Sequence, residues 1–150
     1  KYSNASATMD IRLFGFFSII KKTGVEMNKA ETVTFFNDMC LLAPATLIDK
    51  RIKWQTIDEY SVNATFTNQG ISISDNLFFN SSGQLVNFIS NDRISVSDMK
   101  QYPFSTPVHH YQDISGFKLM SEGDAVWHYP DGAFVYGKFK LKSIAYNVRQ

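Results

Sequence analysis

Imidazoles, a thiol and a few carboxylates are the groups in this chain equipped for chemistry. His109-His110 come first, because imidazole is the commonest metal ligand and a frequent general base. On a strand, neighbouring side chains point to opposite faces, so the pair is poorly placed to grip one ion. A metal site there needs His128 or a carboxylate brought in by folding, and neither HExxH nor CxxC spacing occurs. The plain reading is one histidine packed and one solvated. Asp92-Arg93 follows a strand ending in "NFIS" and opens the longest irregular connection. An arginine there can clamp a carboxylate or phosphate head group with Asp92 orienting it, or the two can tie the strand end to the loop. Asp58 and Glu59 become an acid–base pair with Asp92 only if the fold converges them. Cys40 lies in an apolar stripe with no histidine or basic residue beside it in sequence, and reads as a small core residue. There is no Gly-rich phosphate loop, no GxSxG elbow and no nucleotide fingerprint, and no cofactor is implied. An enzyme would need Asp92, Arg93 and a histidine at the mouth of one cleft.

The elements that must carry these residues are legible from pattern. The segment "ATMDIRLFGFFSIIKKTG" reads as one strand, alternating at first and then nearly all apolar. In "NKAETVTFFNDMCLLAP", Asn28 and Glu31 have the spacing of a capping box and Pro44 ends the ladder, which predicts a helix over 29–42. Its apolar stripe includes Phe36, Cys40 and Leu42, and Thr32, Asn37 and Asp38 leave it only a narrow polar edge. "PATLID" follows as a short helical turn. "EYSVNATFTNQGISIS" is a hairpin turned at Asn-Gln-Gly, and Asn80 to Gly83 turn Leu77–Phe79 into Leu85–Ile89. A polar connection over 91–107 leads to three more strands, turned near Ser115-Gly116 and at Pro130-Asp131-Gly132. In "VWHYPDG", Trp127 and Tyr129 share one strand face. In "FVYGKFKLK", Val135, Gly137, Phe139 and Leu141 alternate with Tyr136, Lys138, Lys140 and Lys142, a basic stripe that meets acidic head groups or a partner, or is simply solvated.

About seven strands and one helix in this order predict an α+β, mostly β fold: a curved antiparallel sheet, an open half-barrel, wrapped around the helix. At 150 residues the chain suits one domain, and a chain of that size buries roughly 70% of its unfolded surface. Hydrophobic residues make up 44% and there are 13 Phe, enough to fill such a core or to line an apolar cavity. With a net charge of +1 and mixed signs along the chain, no electrostatic footprint for nucleic acid is present. No run is apolar for the roughly 18–20 residues of a membrane span. The opening "KYSNASATMD" reads as the start of a fragment or mature form, so membrane proximity would come from upstream segments. One cysteine allows no internal disulfide.

The succession "ETVTFFNDMCLLAPATLID", "IKWQTIDEYSVNATFT", "LFFNSSGQLVNFISNDR" and "GDAVWHYPDGAFVYGKFKLKSIAYN" resembles the C-terminal domain of an uncharacterised bacterial family, a domain of unknown function. The resemblance spans about residues 9 to 147. It implies the half-barrel fold of periplasmic lipoprotein carriers such as LolA, which hold acyl chains between sheet and helix, and an envelope or membrane-anchored setting. The function expected is therefore a non-enzymatic binding domain that takes an apolar or lipid-like ligand. Phe36, Cys40, Leu42, Phe66, Asp92, Arg93 and Trp127 are its candidate binding residues. The rival is a structural or protein-interaction domain whose interior is fully packed.

Overall fold

Residues 1–13, 17–95 and 97–148 are described by a computed structural model, residues 11–13 and 17–22 as backbone alone. A short ribbon of β1 (Tyr2–Ser3) and β2 (Ser6–Ala7) opens the chain. β3 (Met9–Leu13) and β4 (Phe17–Lys22) then pair antiparallel, from Met9 opposite Lys22 to Leu13 opposite Phe17. One strand was expected over this stretch and two are found. The nearly unbroken apolar run hides the reversal, and Gly15 is its single chain-breaking residue.

Helix α1 runs Val25–Leu42, one turn longer at its start than the spacing predicts. Gly24 stands at the N-cap with φ 117° and offers no side chain, while the Asn28 N–H donates to the Gly24 carbonyl at 2.9 Å. Asn28 is thus inside the first turn rather than capping it. Its Oδ1 accepts the Ala7 N–H at 2.7 Å and pins β2 to the helix. The helix ends as expected, with Pro44 opening a 3-10 turn over Pro44–Ile48.

The remaining strands are β5 (Ile52–Asp58), β6 (Ser61–Asn68), β7 (Ile71–Phe79), β8 (Leu85–Ser90), β9 (Phe104–Ser105), β10 (Val108–Ile114), β11 (Phe117–Tyr129) and β12 (Gly132–Lys140). They form one eight-stranded antiparallel sheet that does not close. β11 carries β9 and β10 along one side and β12 along the other, and the path continues from β9 through β8, β7 and β6 to β5. The expected turns are in place. Gln69 and Gly70 both have positive φ, which matches the strand twist in a two-residue hairpin. β5 was not expected because only Ile52 of its seven residues is buried, so it has no apolar face to announce it.

Helix α1 packs on β7, β8 and β11. Val33, Phe36, Met39, Cys40 and Leu41 meet Ala64, Phe66, Ile73, Leu77, Leu85, Phe88 and Met120 in one core. The Phe36 ring stacks on Phe66 at 5.2 Å and meets Phe88 edge-on at 6.1 Å. The apolar side of the helix is thus covered by the middle of the sheet. Asn37 and Asp38 of its polar edge are turned toward β9, β11 and β12, where the candidate site lies, whereas Thr32 is buried against the Tyr2 hydroxyl at 2.8 Å.

A bulge shapes that end. Val126 pairs with Val135 but Ala125 pairs with Gly137, so Tyr136 is an extra residue in β12. The shift changes which residues share a face: Phe134 lies opposite Trp127, while beyond the bulge Phe139 lies opposite Gly123 on that same side. The unbroken alternation read from "FVYGKFKLK" is corrected accordingly, and Val135 does not share a face with Phe139. A Cβ on Gly123 would stand 2.7 Å from the Phe139 ring and 2.9 Å from the Pro107 carbonyl oxygen. Gly123→Ala is therefore expected to cost about 1–3 kcal/mol in urea unfolding, as overpacking does. Gly137→Ala, whose Cβ would meet Ala125 at an ordinary 3.6 Å, is the control and should cost clearly less.

Candidate functional site: paired clefts at one arginine

A cleft of about 360 Å³ opens between the polar edge of α1 and β9, β11 and β12, with Leu41, Leu42, Phe104, Met120, Ala125 and Phe139 as its apolar lining. That volume sits at the low end of the about 300–1,000 Å³ usual for small-molecule pockets. Asn37 enters it from the helix, only 6% exposed. Its Nδ2 donates to Thr106 Oγ1 at 2.7 Å, and its Oδ1 has no hydrogen-bond partner. Exchanging the two amide positions would leave the nitrogen open instead, so this carboxamide keeps one unmet hydrogen-bonding atom either way. Leaving such an atom dry costs about 1–3 kcal/mol.

Arg93 lines this cleft and also a second one, of about 320 Å³, bounded by Met27, Ala30 and Glu31 of the helix and by Trp127, Tyr129 and Phe134. Its guanidinium lies over the Phe104 ring at 4.0 Å and toward Trp127 at 5.7 Å. Desolvation lowers its pKa, against the pull of Tyr136, Glu31 and Asp38, and it stays charged at any physiological pH. Among the described residues no carboxylate lies within ion-pair distance of it. Asp38, further along the same helix edge, has its pKa raised by desolvation, more than Arg93 lowers it.

Asp92, expected beside Arg93, is engaged elsewhere. Its Oδ1 accepts from Lys29 Nζ at 2.7 Å and its Oδ2 from the Ser74 N–H at 3.0 Å, which fastens the first half of the helix to the sheet. Close by in the sheet is a buried acid that the pattern reading missed. Asp75, 1% exposed, faces the helix from β7 between Ala64 and Ser90. Neither carboxyl oxygen has a partner of good geometry. Burial pushes its pKa up to about 7, with Asp92 adding to the rise and Ser90 and Lys29 opposing it. The signal was available: in "ISISDNLFF", period two puts Asp75 on the face of Ile73 and Leu77.

The other candidate residues are dispersed. Phe36 and Phe66 are fully buried against each other, whereas Leu42 and Trp127 border the clefts. Cys40 and Leu41 wall a smaller cleft of about 230 Å³ with Leu77, Leu85 and Tyr111. Burial and then Asp75 push the Cys40 thiol far above its usual range, which disfavours the thiolate. His109 Nε2 faces Asp124 at 3.0 Å. His128 Nε2 and Ser105 Oγ are 2.8 Å apart, a pair the sequence reading did not make, on the face of β11 opposite Trp127. Among the described residues no group of three His, Cys, Asp or Glu side chains is placed to hold a metal ion. Asp58 binds the Tyr60 N–H at the β5–β6 turn, at the end of β6 that meets Phe78, whereas Asp92 meets Ser74 near the other end. Lys140 pairs with Glu122 at 2.5 Å and Lys138 lies opposite Asp124, so acids interrupt the basic stripe.

Among the described residues these features define a mostly β domain with one α-helix and a cleft-bearing sheet end, in which the His, Cys, Asp and Glu side chains form no metal-binding cluster. The chain belongs to a family of unknown function, DUF6544, which matches residues 1–139. No curated protein and no solved structure matches it.

Proposed function

We propose that this is a non-enzymatic binding domain that holds an apolar or lipid-like ligand at the edge of the helix–sheet interface. On this reading the unclosed sheet is an open half-barrel of the lipoprotein-carrier kind, curved around α1. The observation that carries the reading is the first cleft: a mostly apolar trough beside a densely packed core, with Asn37, Thr106 and the charged Arg93 among its lining residues. The dispersal of His109, His128, Asp58 and Cys40 supports binding over catalysis. Native mass spectrometry of the purified domain, followed by organic extraction, tests it. A reproducible acyl species should accompany the wild type and be lost in Leu42→Glu, which puts a charge in the trough at a half-buried position. A mass that stays clean after incubation with cell lipids would sink the proposal.

A second reading, a protein-interaction domain, is favoured by β12. Phe134 and Tyr136 on that outer strand are 56% and 53% exposed, and its far edge pairs with no other described strand. Clean apo spectra together with concentration-dependent association would move the assignment there.

A further inference from the structure

Resting on the binding reading above, the charge pattern where the two clefts meet points to the head group of the ligand. We infer that the site takes a single-chain amphiphile with a zwitterionic head, its anionic group on Arg93 and its ammonium among the acids Glu31 and Asp38 and the rings of Phe134 and Tyr136 that line the two clefts beside it. The clefts share Arg93 and Tyr136 as common walls, so a chain lying along Leu41, Leu42 and Phe139 in the first brings its head to the residues that border both. Glu31 and Asp38 are seven residues apart and so share one helix face, Glu31 in the second cleft and Asp38 in the first. Neither lies within ion-pair distance of Arg93. The site thus presents one fixed positive and two negative charges, none cancelled by direct contact with the opposite sign in this group.

Each simpler head group meets one of these charges badly. A carboxylate or sulfate would satisfy Arg93 but face two acids. A lone quaternary ammonium would suit the acids and the aromatic rings, which attract cations through their quadrupoles, but it would face the guanidinium. An uncharged head would leave all three charges to solvent. A head bearing both signs meets each with its opposite, and Arg93 is held ready by its stacking on Phe104. The volume of the first cleft, about 360 Å³, suits one chain rather than two. A phosphate–ammonium head and a carboxylate–ammonium head share this chemistry.

Isothermal titration below the micelle concentration, at one chain length, tests the inference. The probes are lysophosphatidylcholine, an alkyl carboxybetaine, an alkyl sulfate, an alkyltrimethylammonium and a monoacylglycerol. At least one zwitterion should bind about tenfold tighter than the other three classes, and which zwitterion leads identifies the anionic group. Glu31→Gln combined with Asp38→Asn should abolish the preference over the alkyl sulfate. Arg93→Gln should abolish the preference over the ammonium, and circular dichroism verifies that both variants fold. Equal affinity for every head group would overturn this inference and leave the binding reading standing, as would tightest binding of the sulfate. Absence of binding by all five would overturn both.

Discussion

Phe36→Ala lowers the free energy of unfolding by about 3–5 kcal/mol, the range for removing a fully buried aromatic ring, and drops the melting temperature by roughly 10 °C. Two rings lose their partner at once, since Phe36 stacks on Phe66 and meets Phe88 edge-on. The surrounding wall is formed by sheet residues held in register by β6, β7 and β8, so collapse into the void is limited. Denaturant unfolding with an unchanged slope would confirm that the loss is one of stability. Amphiphile affinity should be unchanged in this variant, because the ring lies in the core and not in the cleft. A loss below about 1 kcal/mol would mean that the helix–sheet core is looser than its burial implies.

Asp75→Asn is expected to stabilise the protein at pH 8 and to leave it nearly unchanged at pH 4. The native carboxyl is raised from 3.8 to about 7, so between those values the folded state binds a proton that the unfolded chain has released. Stability from this group is therefore fully present below about pH 4 and is lost as pH rises through 7. At about 1.4 kcal/mol per unit, the whole shift amounts to on the order of 4 kcal/mol at most, and a gain of about 2–4 kcal/mol at pH 8 is expected. The charges bearing on Asp75 are Asp92 on the loop after β8 and Lys29 on the helix, with the hydroxyl of Ser90 opposite. Subtracting the two stability–pH curves removes contributions common to both proteins. A flat difference between pH 4 and pH 8 would show that Asp75 titrates as an ordinary acid.

Particular residues show where the sequence was legible. The hairpins announced themselves because Gln69-Gly70 and Ser115-Gly116 supply the positive φ that tight turns need, and Pro44 ended the helix by lacking an N–H. Asn28 misled because capping chemistry and a tertiary contact use the same side chain: its Oδ1 serves Ala7 rather than its own helix. The bulge at Tyr136 left no mark in an alternating sequence, and it decides which aromatic residues join the cleft. Arg93, singled out from its place at a strand end, lines both clefts. Asn37, Thr106 and Phe139 were not, because residues far apart in sequence become one wall only through strand order.

The extra residue at Tyr136 also bears on how the domain behaves in a crowded solution. An open sheet ending in a long strand with exposed Phe134 and Val135 is a template on which another chain can add a strand, the first step toward fibrils. A bulge kinks and twists such an edge out of the flat geometry that stacking requires, and Lys138 and Lys140 place charge along what remains of it. The same local irregularity that brings Tyr136 to the cleft therefore makes this edge a poorer template for strand addition.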